Sequence, residues 1–157
     1  MPRKDHPKFS PHIHNRRALH DYFIEAKIEC GMALQGSEVK SLRQGKATLQ
    51  DSFASIDSGL LILHKMHIDP YEKATLAWNH DPKRDRKLLV HKRELRKLQS
   101  ALAIRGTTLI PLSVYWKNGI AKLELGVAKG KQQHDKRDSI RKKEQDRELR
   151  RMMSHRQ

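Results

Sequence analysis

Thr107–Val127, TTLIPLSVYWKNGIAKLELGV, consists of two runs of strand-forming residues around Asn118-Gly119. Asn-Gly adopts the paired left-handed conformation of a two-residue hairpin turn more readily than almost any other dipeptide. Thr107–Trp116 forms the outgoing strand. Ile120–Val127 returns with Ala121, Leu123, Leu125 and Val127 on one face. Period-two patterning on both sides of such a turn predicts a sheet with one buried face.

N-terminal to this hairpin, Lys92–Ile104 has helical spacing. Leu95, Leu98 and Leu102 make one stripe, and Gly106 is a suitable stop. Asp69–Arg86 is a polar loop punctuated by two Asp-Pro pairs. Its Tyr71 and Trp78 either stack on a base or pack over the domain as a cap. Leu49–Ile56 and Leu60–Ile68 are β-rich and joined at Asp57-Ser58-Gly59, a second hairpin. Ser37 is an expected N-cap for a short helix through Arg43, with Val39 and Leu42 inward, Lys40 and Arg43 outward and Gly45 after its end. In His20–Cys30, Tyr22, Ile24, Ala26, Ile28 and Cys30 alternate with Asp21, Phe23, Glu25, Lys27 and Glu29, which makes a half-buried strand that Gly31 breaks. Cys30 is then a small core residue. Glu29 is either a solvated strand charge or an acceptor for a base amino group or an arginine.

The order strand, helix, strand, strand, helix, strand, strand predicts a mainly β fold. Its form is a small, closed, OB-like barrel with two helices in its body. C-terminal to the opening hairpin, Gly126–Arg137 (GVAKGKQQHDKR) marks a boundary. Beyond it Asp138, Lys142, Asp146 and Arg150 recur every fourth residue with alternating sign, and the apolar groups are sparse: Ile140, Leu149, Met152 and Met153. That pattern supports a solvated helix, disordered alone and ordered by a partner. The expected division is a flexible basic arm at 1–14, a barrel at 15–130 and a basic tail at 131–157.

With 33 Lys and Arg against 18 Asp and Glu, the formal net charge is +15, which points to a polyanionic partner, most often nucleic acid. Aromatic residues are only 5%, so phosphate contacts rather than a stacking platform should dominate affinity. Basic patches fall at Arg16-Arg17, Lys40–Lys46, Lys83–Lys87 and Lys129–Lys131. The single cysteine provides no disulfide, and neither a membrane-length apolar run nor a signal-peptide core is present, so a cytoplasmic protein is expected. No phosphate loop, HExxH, GxSxG or paired-cysteine motif occurs. His12 and His14 lack a third ligand nearby, His64, His67 and His80 form no ligand set, and Asp81 and Asp85 are turn residues. The expectation is therefore no metal, no cofactor, no catalytic residue and no enzyme. A structural ribosomal or general RNA-binding protein is the alternative class.

NRRALHDYFIEAKIECGMALQGSEVKSLRQGKA, NHDPKRDRKLLVHKREL, LSVYWKNG and GVAKGKQQHDKR, in that order, resemble the SsrA-binding protein family, SmpB, from about Asn15 onward. The resemblance implies an OB-type barrel that binds the tRNA-like part of tmRNA (SsrA RNA) for trans-translation, the rescue of stalled ribosomes. It implies elongation factor Tu as the carrier of aminoacylated tmRNA. It further implies a tail lying helically in the vacant mRNA channel near the small-subunit decoding centre. Carried over by position, the RNA-facing residues are Asn15, Arg16, His20, Glu29, Gly130 and Lys131, with Lys40, Arg43 and Lys46 as phosphate contacts. The ribosome-facing residues are His134, Asp135, Lys136 and Arg137, then Met152 and Met153. His134 is either a stacking residue or a solvated linker histidine. Two departures stand out: Gln145 occupies the place of a tail tryptophan, and Leu19 that of an arginine.

Overall fold

A computed structural model describes residues 11–154. From the N-terminus it runs β1 (Ile13–His14), α1 (Arg16–Asp21), β2 (Tyr22–Met32), α2 (Gly36–Arg43), β3 (Ala47–Thr48), β4 (Phe53–Asp57) and β5 (Leu60–His64). It continues through β6 (His67–Ile68), a 3-10 turn at Leu76–Trp78, β7 (Arg86–Leu89), α3 (Lys92–Leu102), β8 (Thr107–Lys117), β9 (Ile120–Gly130) and α4 (Gln133–Ser154). Positions 1–10 of the expected arm and 155–157 of the tail lie outside the described residues.

Both hairpins form where the turn residues place them. Asn118 and Gly119 have φ of 51° and 75°, and Ser58 and Gly59 have 49° and 75°. Paired left-handed residues match the natural twist of the strands they join. β8 and β9 pair from Lys117↔Ile120 back to Thr107↔Lys129, and β2 runs along β9 from Tyr22↔Gly130 to Gly31↔Lys122. The antiparallel pairings β8–β4–β5–β7–β2–β9 return to β8 and close a ring. Closure pairs both edges of every stave, so a small sheet needs no covering layer. Inside it Leu63, Met66, Ile68, Leu109, Leu123 and Leu125 have no exposed surface. Cys30 is equally buried, and burial pushes its thiol up to about 12, so it is a core residue and not a nucleophile.

The sheet has more pieces than the five strands expected. β7 lies at the end of what was expected to be loop, and it bridges β5 and β2. Ile13 and His14, assigned to the mobile arm, pair with Val114 and Ser113 of β8. Gly31 does not break β2. It pairs with both Leu89 and Lys122, and a Cβ there would stand 3.2 Å from the Leu89 Cβ, so glycine lets the strand pass between two neighbours. A register shift between Ile24 and Ala26 turns Ala26 outward, against the strict alternation expected. The body holds three helices rather than two, because α1 is too short to produce a periodic signal and buries only Ala18. In α2 the N-cap is Gln35 rather than Ser37, forming a capping box with Glu38. The tail helix, Gln133–Ser154, begins five residues before Asp138, where the fourfold charge pattern starts, and lies within the expected tail at 131–157.

Candidate nucleic-acid interface

The region around α1 begins with a defect in β8. Pro111 pairs with Leu125 and Ser113 with Glu124, which leaves Leu112 as an extra, bulged residue. The bulge frees backbone carbonyls that need donors. Asn15 supplies them: its N–H donates to the Leu112 carbonyl at 2.8 Å and its Nδ2 to the Pro111 carbonyl at 2.9 Å. Asn15 is thus committed to the fold, and it fixes where α1 starts. Arg16 next to it is exposed and enters no side-chain hydrogen bond or ion pair among the described residues.

Asp21 ends α1 and collects the surrounding cations. Its Oδ1 lies 2.8 Å from His20 Nδ1 and 3.5 Å from Lys136 Nζ, and its carbonyl accepts the Lys131 N–H at 2.8 Å. The hydrogen bond from His20 holds its carboxyl below the usual range; partial burial opposes this and Lys136 reinforces it. Lys131 Nζ donates to the Leu19 carbonyl and to Ser139 Oγ, both at 3.1 Å, and sits 4.9 Å from the Phe23 ring centre. Gly130 pairs with Tyr22, and a Cβ at Gly130 would meet nothing within 4 Å, so the surface there is open. Arg16, His20, Gly130, Lys131 and the start of α4 therefore gather around one end of β2 and β9.

At the start of α4, Asp135 accepts the Gln132 N–H at 3.2 Å through Oδ2, satisfying a free helix donor, while its Oδ1 lies 3.1 Å from His134 Nε2. Lys136 is tied to Asp21, whereas His134 and Arg137 are exposed. No residue of α4 is buried, and Leu149, Met152 and Met153 are more than half exposed.

The remaining predicted residues lie elsewhere. Glu29 is seven residues along β2 from Tyr22, about 23 Å at 3.3 Å per residue. Its carboxylate accepts from the Tyr115 hydroxyl and lies 3.5 Å from Lys117 Nζ. Hydrogen bonding from Tyr115 lowers the Glu29 carboxyl, and burial with that same bond raises the Tyr115 phenol to about 12. Lys40 and Arg43 project outward from α2 over aromatic rings, Lys40 Nζ 5.2 Å from the Tyr71 ring centre and the Arg43 guanidinium 5.4 Å from that of Trp116. Lys46 is paired with Glu72. Lys40, Arg43 and Lys46 make a second basic region on and after α2, and neither they nor Glu29 join the α1 cluster.

Behind α2 is a buried charge cluster. Glu38 and Arg86 are both fully buried, with Arg86 Nε 3.0 Å from Glu38 Oε1. Arg84 adds two bonds to Glu38 at 2.9 and 2.8 Å, and Arg86 also donates to the carbonyls of Met66 and Pro82. Burial alone would raise the Glu38 carboxyl, but hydrogen bonds from Arg84 and the Gln35 N–H, with the Arg86 charge, bring it below its ordinary value. His80 extends the cluster, bonding Ser37 Oγ at 2.8 Å and the Ile68 carbonyl at 2.9 Å. Together these bonds fix α2, and therefore Lys40 and Arg43, against the ring.

Asp21 and Phe23, read as outward strand residues, were missed as parts of the α1 junction, and Leu19, noted only as standing in an arginine's place, supplies it with a carbonyl acceptor. A helix over Arg16–Asp21 would have revealed them, and the available signal was Asn15, a residue type favoured as an N-cap, directly before Arg16. Glu38 was missed because Gln35 is an unusual N-cap, and because Arg84-Asp85-Arg86 has the composition of a solvated turn.

Comparison with known proteins extends over nearly the whole chain. The family model described as SmpB protein matches residues 12–155. An SsrA-binding protein of Geobacillus thermodenitrificans is 52% identical over 143 residues, covering 91% of this chain and 92% of that protein. One from Geobacter metallireducens is 53% identical over 135 residues, covering 86% and 88%. A chain of a solved structure described as "tmRNA-SmpB: a journey to the center of the bacterial ribosome" superposes with a TM-score of 0.67 at 47% identity. The match covers 84% of this chain and 96% of that one.

Proposed function

This chain belongs to the SmpB family of SsrA-binding proteins, and from that premise we propose that it binds tmRNA and brings its tRNA-like part to stalled ribosomes. The α1 end of the ring is the tmRNA-facing surface in this reading. Arg16, His20 and Lys131 supply cations or donors, and Gly130 leaves room for close backbone approach. Asn15 acts from behind by setting the pose of α1. Exposed His134 and Arg137 and the apolar residues Met152 and Met153 face the ribosome, with α4 in the vacant mRNA channel beside the decoding centre. Elongation factor Tu carries the aminoacylated RNA. The chain acts as an RNA-binding factor, and no described helix is long and apolar enough to cross a membrane.

The observation that carries this reading is the junction itself. Lys131 and Lys136 bond residues of α1, so one short segment joins the body's cationic face to the start of the tail. A chain ending after Lys131 keeps β9 whole and tests the two-part mechanism. Its affinity for tmRNA should remain within about fivefold, because partly exposed ion pairs contribute under about 1 kcal/mol. Tagging of nascent chains on stalled ribosomes should fall to background. Tagging at the full-length level would overturn the role of α4.

A further inference from the structure

The loop from Tyr71 to Asn79 plays no part in the mechanism above, yet it is firmly built. Asn79 Oδ1 accepts the N–H groups of Tyr71 at 3.0 Å and His80 at 3.2 Å, and its Nδ2 donates to the Tyr71 carbonyl at 3.0 Å. Inside the loop the Ala74 N–H bonds the Tyr71 carbonyl and the Trp78 N–H bonds the Thr75 carbonyl, both at 3.0 Å. This clamped loop holds its two largest apolar side chains in water: Leu76 is 98% exposed and Trp78 83%. Trp78 is thus no cap over the domain. A rigid loop presenting an indole is the usual form of a binding anchor.

The surroundings of the indole define its ligand. A cleft of about 350 Å³ lies between the loop and the first turns of α2, lined in part by Ser37, Lys40, Tyr71, Lys73, Thr75 and Trp78. Glu72, the loop's acid, is neutralised by Lys46, so the charges left at the cleft are those of Lys40 and Lys73. Two aromatic rings with two flanking ammonium groups fit a base between phosphates. An acidic peptide would satisfy the lysines and leave the indole face unused.

We propose that this cleft is a second RNA contact, taking one unpaired nucleotide whose base lies on Trp78 and whose neighbouring phosphates meet Lys40 and Lys73. A paired base has no free face to offer, so the target is a loop, bulge or single strand. The cleft shares no lining residue with α1, β9 or α4, so the proposal stands independently of the α1 surface; Lys40 is the one residue it has in common with the phosphate contacts expected from the sequence.

The test is titration of the full chain with a hexa-adenylate ribonucleotide at low salt, followed by amide and indole nitrogen–proton spectra. The Trp78 indole, assigned from W78F, should shift saturably together with the Lys73 amide. Affinity read from the Lys73 amide should fall by roughly tenfold in W78A, the scale of one lost base–aromatic stack. Strand amides in W78A should match wild type, since the side chain touches solvent. Shifts confined to α1 and β9 with an unmoved indole would overturn the proposal, as would wild-type affinity in W78A. An oligoglutamate peptide moving the indole as strongly at the same salt would make the cleft a protein-docking site instead. Loss of tmRNA binding on changing Arg16 would leave these signals in place, so the two assignments fail separately.

Discussion

β9 and α4 follow one another in the chain, separated only by Lys131 and Gln132, and are held by different forces. β9 pairs with β2 on one side and β8 on the other, and buries Ala121, Leu123, Leu125, Val127 and Ala128. α4 buries no residue, and its described ties to the body are the Lys131 bond to Ser139 and the Lys136 pair with Asp21. Apolar burial at about 25 cal/mol per Å² stabilises β9, whereas α4 has only helix propensity, fourfold-spaced charges and a polar junction. The ring is therefore a finished object. The tail is a surface whose exposed Leu149, Met152 and Met153 become useful only against a partner.

The largest effect should come from the charge cluster inside the body. Glu38→Gln leaves the fully buried Arg86 without its counter-charge and should destabilise the fold by about 3–5 kcal/mol in denaturant unfolding near neutral pH. The folded carboxyl lies below its ordinary value of 4.5, so its contribution is present above pH 4.5 and is lost as pH falls through the lower folded value. Wild type should therefore lose stability on acidification below pH 4.5, and the variant should lack that part of the curve. Unchanged unfolding in E38Q would mean that α2 is held by its apolar contacts alone, and the contrast with α4 would narrow.

Gly126→Ala examines the same side at the level of packing. A Cβ there would meet Leu112 Cδ1 at 3.0 Å and Ile24 Cγ2 at 3.3 Å. Overpacking of this kind costs about 1–3 kcal/mol, to be read from the thermal midpoint. Helicity of α4 should not change. A loss of tail helix would show that ring and tail share one cooperative unit.

These positions also show what was legible in the residues. The two hairpins, the α3 stripe and the core place of Cys30 follow from local chemistry, because turn dipeptides and period-two burial act within a few residues. β7 was hidden because Arg86 occupies an inward position, and a buried arginine breaks the apolar alternation that identifies a strand; its partner Glu38 is 48 residues away. α1 was hidden because six residues are too few for a periodic signal, and because its start is set by Asn15, whose bonds to the Pro111 and Leu112 carbonyls exist only once β8 is paired. Among the site residues, the clustering of Arg16, His20, Gly130 and Lys131 depends on the Tyr22↔Gly130 register. The same register separates them from Glu29. Local pattern reveals elements, and long-range pairing decides which of their side chains meet.

The smallest effect should be at the junction, where the comparison is sharpest. Lys136→Ala removes a pair whose partners are 35% and 27% exposed, so global stability should change by less than about 1 kcal/mol. What should change is local. Amide exchange in the first turns of α4 should rise by up to about fivefold, the equivalent of about 1 kcal/mol, while ring amides stay as they were. Asp21 links this to pH, since the hydrogen bond from His20 leads in holding its carboxyl below 3.8 and Lys136 adds to it. The tie is therefore intact at neutral pH and is lost as pH falls through that lowered value, so acidification should loosen the start of α4 in wild type and have little further effect in K136A. If exchange in α4 does not respond to the substitution, the lysine is only a surface charge and Lys131 alone carries the junction. If ring amides respond as well, the tail's first turns belong to the core, and the separation between β9 and α4 lies further along the helix than Lys136.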